Sequence, residues 1–333
     1  MTEIFFSTVV RSAPPQNGGE LVRLDWDSKR VIARTPITSS RPDVKDPNPR
    51  GNTRGGRGIS LSGARVHVAS YDQVRTFDLD LKPISVASNG LMVGLHEVLM
   101  VSEGRLWVSA TAVDAALEID LSSGEIVDAF WPREDAVLRE AMGLTPAAID
   151  KTADLRTAFL SSSHTEHQSH LHLNALAIFE NDLHALFNTR GAMVNLATRQ
   201  VLLEDAHLRG SHNLVVVRDL LFVSATKLKG VAIFDLTSGA LVKTLEISNL
   251  EAVQQLVHSS KPRGLRRLLA STDKSSSDPL FVRGLQVAGD EVFVGISPAT
   301  ILHLNWKTAE LLDHYQYSDD VSVCVHGLAI RTS

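Results

Sequence analysis

Four of the thirteen histidines of this chain, His164, His167, His170 and His172, fall in the stretch "SHTEHQSHLHLNALAIF", which then turns into an apolar run. Other histidines also stand at the start of apolar runs: His96 in "GLHEVLM", His212 in "GSHNLVVV" and His326 in "CVHGLAI". Neutral imidazole is a good ligand for zinc, iron or manganese, and ligands carried by separate rigid strands hold an open coordination geometry. The expected metal ligands are therefore His96, His172, His212 and His326. His170 lies two residues before His172, on the same side of an extended chain, and together with Glu97 it is the expected proton carrier. Asn174 and Asn213 supply oxygen ligands or hydrogen bonds beside the metal. Arg50, Arg54 and Arg57, in the Gly-rich "DPNPRGNTRGGRGI", and Arg283 in "VRGLQVA" offer paired N–H donors for a carboxylate or phosphate.

These positions converge only if the apolar runs are equivalent strands of one architecture. A repeat says that they are. An apolar residue, Asp or Asn, and usually Leu recur at Asp25, Asp78, Asp120, Asn195, Asp235 and Asn305. Two copies, "GRLWVSATAVDAALEIDLSSGEIV" and "DLLFVSATKLKGVAIFDLTSGALV", align across 115 residues. Alternating apolar residues between Ser-Gly turns give the strand period of two. Six such sheets bury their faces only by packing radially. The expected fold is all-β: a six-bladed β-propeller formed by residues 1–333 as a single domain. "VHGLAIR" near the C-terminus is expected as the innermost strand of the blade containing "IFFSTVV", so that both chain ends close one sheet.

The marks are near 40 residues apart in the compact blades but 75 apart from Asp120 to Asn195 and 70 from Asp235 to Asn305. The surplus lies in insertions 131–169 and 249–280, with a smaller one at 38–56. Each precedes an innermost strand, which puts them on the face where the tunnel opens. "PREDAVLREAMGL", "LEAVQQLVHSS" and "GLRRLLAS" read as helices, making these insertions candidate lids.

A net charge of −5 gives no global field for nucleic acid or an anionic membrane, and neither partner is expected. The one cysteine, Cys324, forms no intrachain disulfide and reads as a small buried hydrophobe. With no signal-like start and no apolar run of about 20 residues, the expected location is cytoplasmic. His67, His184 and His303 fall inside second or third strands and are expected to be structural. No P-loop, G-x-S-x-G, H-E-x-x-H or CxxC is present.

With six blades, and Glu and Asn beside a metal-binding position, the chain resembles the SMP-30/gluconolactonase-like propellers over its whole length. The resemblance implies a divalent cation held by inner-strand Glu and Asn residues, parts that fall to Glu97, Asn174 and Asn213, and hydrolysis of a lactone or ester. The histidine ring departs from that group. It is similar instead to the all-histidine iron centre of carotenoid-cleaving oxygenases, which have seven blades, so the reaction is carried over from neither. The expected function is that of a metal-dependent hydrolase, lyase or isomerase acting on a small anionic metabolite at the tunnel mouth. The alternatives are a multi-histidine non-haem iron oxygenase and a non-catalytic binding or scaffold propeller.

Overall fold

The computed structural model describes residues 1–11, 13–43, 53–158, 171–260 and 280–332. They form six four-stranded antiparallel sheets. Blades two to six occupy 59–87, 95–130, 173–204, 212–245 and 282–316, each running from the innermost strand outwards. Blade one is closed by both chain ends: Val323–Thr332 is innermost and pairs with Thr2–Val10, in register Ile4 to Ile330 and Val9 to Cys324. The architecture expected from the repeat, including this closure, is the one observed.

The repeated Asp or Asn ends the third strand of every blade, where its side-chain oxygen accepts backbone N–H groups of the following turn. Asp120 Oδ1 accepts from Ser122 and Ser123 at 2.9 and 3.1 Å, Asn195 Oδ1 from Ala197 and Thr198 at 2.8 and 2.9 Å, and Asp235 Oδ1 from Ser238 at 2.8 Å. A short side chain with an acceptor oxygen satisfies the turn from within. The sixfold mark is thus a turn-forming device.

Blade strands are covered on both faces, which is why "IFFSTVV" reads as almost unbroken apolar sequence. Ile4, Phe5 and Phe6 are all fully buried. Ile4 and Phe6 pack with Phe293 and Ile301 of blade six, while Phe5 packs with Ile59 and Val68 of blade two. Interblade cores of this kind hold the innermost strands as rigid staves around the axis.

Five of those staves carry an irregularity in pairing at the same level, near their start: between Leu95 and Val98, Leu173 and Ala175, His212 and Leu214, Arg283 and Leu285, and opposite Ser7/Thr8 at His326. A bulge frees a residue from the ladder and re-aims side chains. His172 and Asn213 adopt left-handed backbone angles there, with φ of 52° and 49°. His96, Glu97, Asn174, Asn213 and His326 fall within these irregularities, with His212 and Arg283 at their edges and His172 just before one.

Two of the helices expected in the insertions form at Ala136–Met142 and Glu251–Ser259. Asp135 caps the first by accepting from Leu138 N at 3.0 Å. The third, "GLRRLLAS", lies outside the described residues, as do Arg50, His164, His167 and His170. His67, His184 and His303 lie in second or third strands as expected, and Cys324 is buried as a free thiol. Among the described residues, no helix is long and apolar enough to cross a membrane.

Candidate metal centre

His96, His172 and His212 come from the inner strands or strand starts of blades three, four and five. Each offers a ring nitrogen, and the three lie within 4.8 Å of one another. The ring centroids are 5.4 Å apart for His96–His172, 5.9 Å for His96–His212 and 6.3 Å for His172–His212.

The surroundings orient these rings. His96 Nδ1 lies 2.9 Å from the Gly94 carbonyl and 2.9 Å from Thr111 Oγ1, and Thr111 donates to the Leu173 carbonyl at 2.6 Å. His212 Nδ1 lies 3.2 Å from Thr226 Oγ1, which donates to the Val282 carbonyl at 2.8 Å. His172 is held through its backbone: the buried Asp114 carboxylate accepts from Leu171 N at 3.1 Å and from His172 N at 2.9 Å. Arg133, at the base of the 131–169 insertion, lies 3.4 Å from the same carboxylate.

The fourth expected ligand is placed differently. The His326 ring shares the axis, with its centroid 6.0 Å from His96 and 6.5 Å from His212, but it is not one of the three converging donors. Its Nε2 faces Arg283 Nη1 at 3.0 Å, and an arginine can only donate. His326 thus accepts a hydrogen bond from the neighbouring stave through Nε2, while its buried Nδ1 has no hydrogen-bond partner among the described residues.

Burial is the first cause holding the His96, His212 and His326 imidazoles well below the ordinary histidine value. The next cause is positive charge: Arg57 beside His96, and Arg283 beside His212 and His326. Rings kept neutral in this way keep lone pairs free for a cation.

Arg57 is buried and donates from Nη1 to the Leu95 carbonyl at 2.6 Å, with His96 Nδ1 at 3.3 Å. Arg54 is buried too, and its Nε donates to the Ala13 carbonyl. Arg283 and Arg57 therefore stand at the ring, while Arg54 is tied to the loop that follows the first strand.

Glu97 sits beside the ring at the head of an axial cavity of about 120 Å³, lined also by Ser60, Leu176, Asn213, Gln286 and Leu328. Burial pushes its carboxyl up to about 7, against the hydrogen bond from Asn213 Nδ2 to Oε2 at 3.0 Å. A Cβ at Gly58 would stand 2.4 Å from Glu97 Oε1, so glycine makes room for this carboxyl. Asn213 also accepts from Gly284 N at 3.0 Å, and so stitches blades three, five and six together across the axis. Asn174 donates from Nδ2 to the Ser211 carbonyl at 2.9 Å, while its buried Oδ1 has no hydrogen-bond partner among the described residues.

Sequence reasoning did not single out Thr111, Thr226 or Asp114. The signal was present: "SAT" recurs unchanged in the two segments that align across 115 residues, and it ends on Thr111 and Thr226.

No protein-family model matches this chain, and no curated protein matches it. Solved structures do. A protein of unknown function from Bacteroides caccae is similar over 100% of this chain and 99% of its own, with a TM-score of 0.60 at 6% identity. The WD40 domain of Neurospora crassa Pan2 covers 90% of this chain and 75% of its own, with a TM-score of 0.47 at 11% identity. The Myceliophteria thermophila Cps50 (Swd1) β-propeller domain covers 94% and 87%, with a TM-score of 0.46 at 14% identity. At 6% identity the likeness to the Bacteroides caccae protein is one of fold alone.

Proposed function

We propose that the chain is a metal-dependent enzyme that holds one divalent ion, zinc, iron or manganese, between His96, His172 and His212 and acts there on a small anionic molecule. The observation that carries this reading is the convergence of three imidazoles from three separate staves. These three rings would hold the ion, each through one nitrogen. A bound ion in this setting polarises a carbonyl or phosphoryl oxygen, or lowers the pKa of a bound water.

The protein groups around it divide the remaining work. Glu97, poised at about 7, takes up or releases a proton near neutral pH. Arg283 and Arg57 place positive charge beside the ring, which favours a carboxylate or phosphate over a neutral ligand. Hydrolysis of an ester or lactone, elimination and isomerisation all fit these groups. The all-nitrogen donor set also suits iron, so the oxygenase reading is separated from the first by the metal found in the purified protein.

The anionic class is tested by titrating metal-loaded protein with oxalate and with inorganic phosphate. Arg283→Leu is expected to weaken binding of at least one of them by roughly 10- to 100-fold, the worth of a charge-assisted hydrogen bond. If both anions bind the variant as they bind the parent, or neither binds the parent, the substrate is not held through these arginines.

A further inference from the structure

We infer that Thr226 is a positioning residue that locks the His212 ring in the tautomer whose Nε2 lone pair is free for a cation, and that the internal repeat places Thr111 in the same relation to His96. The inference rests on the metal reading above. A threonine hydroxyl has one proton. In Thr226 it goes to the Val282 carbonyl at 2.8 Å, so towards His212 Nδ1, 3.2 Å away, Thr226 accepts. Nδ1 therefore carries the ring proton, and Nε2 the lone pair. Thr111 repeats the arrangement, donating to the Leu173 carbonyl at 2.6 Å with His96 Nδ1 at 2.9 Å. There the Gly94 carbonyl, which can only accept, lies 2.9 Å from the same nitrogen and favours the same tautomer, whereas Arg57 Nη1, which can only donate, stands 3.3 Å away and opposes it, so the inference is carried by Thr226.

Both hydroxyls end on a carbonyl of the next blade's innermost strand. Each threonine thus ties a ring to the neighbouring stave and keeps the donors of adjacent blades in fixed relation. The residue three places on completes the link. Asp114 accepts from the backbone of Leu171 and His172, while Lys229 Nζ donates to the Leu280 carbonyl at 2.7 Å, just before the strand that carries Arg283. One T-x-x-D turn therefore sets the His96–His172 pair, and one T-x-x-K turn couples His212 to the Arg283 strand. The two copies have kept the clamp and changed what it holds.

Thr226 gives the sharper test, because among the described residues His212 Nδ1 has no counterpart to the Gly94 carbonyl beside His96. Thr226→Val keeps the shape and removes the hydroxyl; Thr226→Ser restores it. In metal-free protein, ¹⁵N-histidine NMR is expected to show His212 as the Nδ1–H form in the parent and in Thr226→Ser. Thr226→Val should show a mixture of tautomers. Zinc alone should bind Thr226→Val about 10- to 100-fold more weakly, the usual cost of losing an outer-shell partner, and Thr226→Ser within a few-fold of the parent. Thr226→Ala replaces the valine variant if that fails to fold. The inference is overturned if the hydroxyl-free variant keeps the parental tautomer and zinc affinity. If the parent takes up no zinc, the metal reading falls, and the NMR result still decides whether Thr226 sets the ring.

Discussion

Alanine at His96, His172 or His212 is expected to take bound metal from about one ion per chain to near zero, while alanine at His326 leaves the ion in place. Each of the three converging rings offers one nitrogen to a shared point. Losing one leaves a two-nitrogen site, and the affinity loss should exceed the roughly 10- to 100-fold that outer-shell changes cost. His326 is engaged by Arg283 instead, so its removal should alter anion binding more than metal content. Alanine at His67, a second-strand residue whose Nδ1 lies 3.0 Å from Thr76 Oγ1, is the control: it should cost stability and keep the metal. Elemental analysis after equilibrium dialysis, with circular dichroism to confirm folding, reads all five variants. Equal metal in the three triad variants and the parent would remove the triad from the account.

The second large effect is on pH. Metal-free protein should lose stability steeply as pH falls below about 6.5, the free histidine value. His67 is held at about 4 by burial, and His96, His212 and His326 are held well below their ordinary value. Between the unfolded and folded values the unfolded chain binds these protons and the native chain does not, so acid favours unfolding. Glu97 works in the opposite direction. Its folded carboxyl, raised to about 7, takes a proton before the unfolded one does, and stabilises the native state as pH falls from about 7 to 4.5. His184 is lowered by burial too, so the lowered imidazoles outnumber the one raised carboxyl and stability falls with acid in the shared window. Denaturant melts at pH 7.5, 6.5 and 5.5 measure it directly. Excess zinc should move the transition to lower pH, since an ion that binds only the native state stabilises it by mass action. A flat profile between pH 7 and 5.5 would mean that these rings are not buried neutral.

The fold was legible because its periodic signal is a local chemical one. Asp25, Asp120 and Asn195 recur because each closes a turn from its own side chain, and that requirement does not depend on the rest of the chain. The closing strand was legible because a lone apolar run at each end has no other partner. The triad was legible in part. Aligning strand starts put His96, His172 and His212 at one level, and the bulges there turn them to one axis. His326 occupies the same level, but Arg283 on the adjacent stave takes its Nε2. Strand-by-strand alignment does not show lateral pairing of that kind. Arg54 is expected among the paired N–H donors for an anion; its Nε donates to the Ala13 carbonyl, a loop contact with no periodic signature. Thr111 and Thr226 have no reactive chemistry of their own, and their part emerges only once the next blade's carbonyls are in place.

The most direct test of the metal centre is crystallographic: anomalous scattering collected above and below the absorption edge of the metal found in protein purified without chelator. The account predicts a single strong peak on the propeller axis, about 2.0–2.1 Å from one nitrogen each of His96, His172 and His212, with His326 outside the coordination sphere and hydrogen-bonded to Arg283. A peak held by Glu97, Asn174 and Asn213 instead, or an axis with no anomalous signal in protein soaked with zinc, would contradict it.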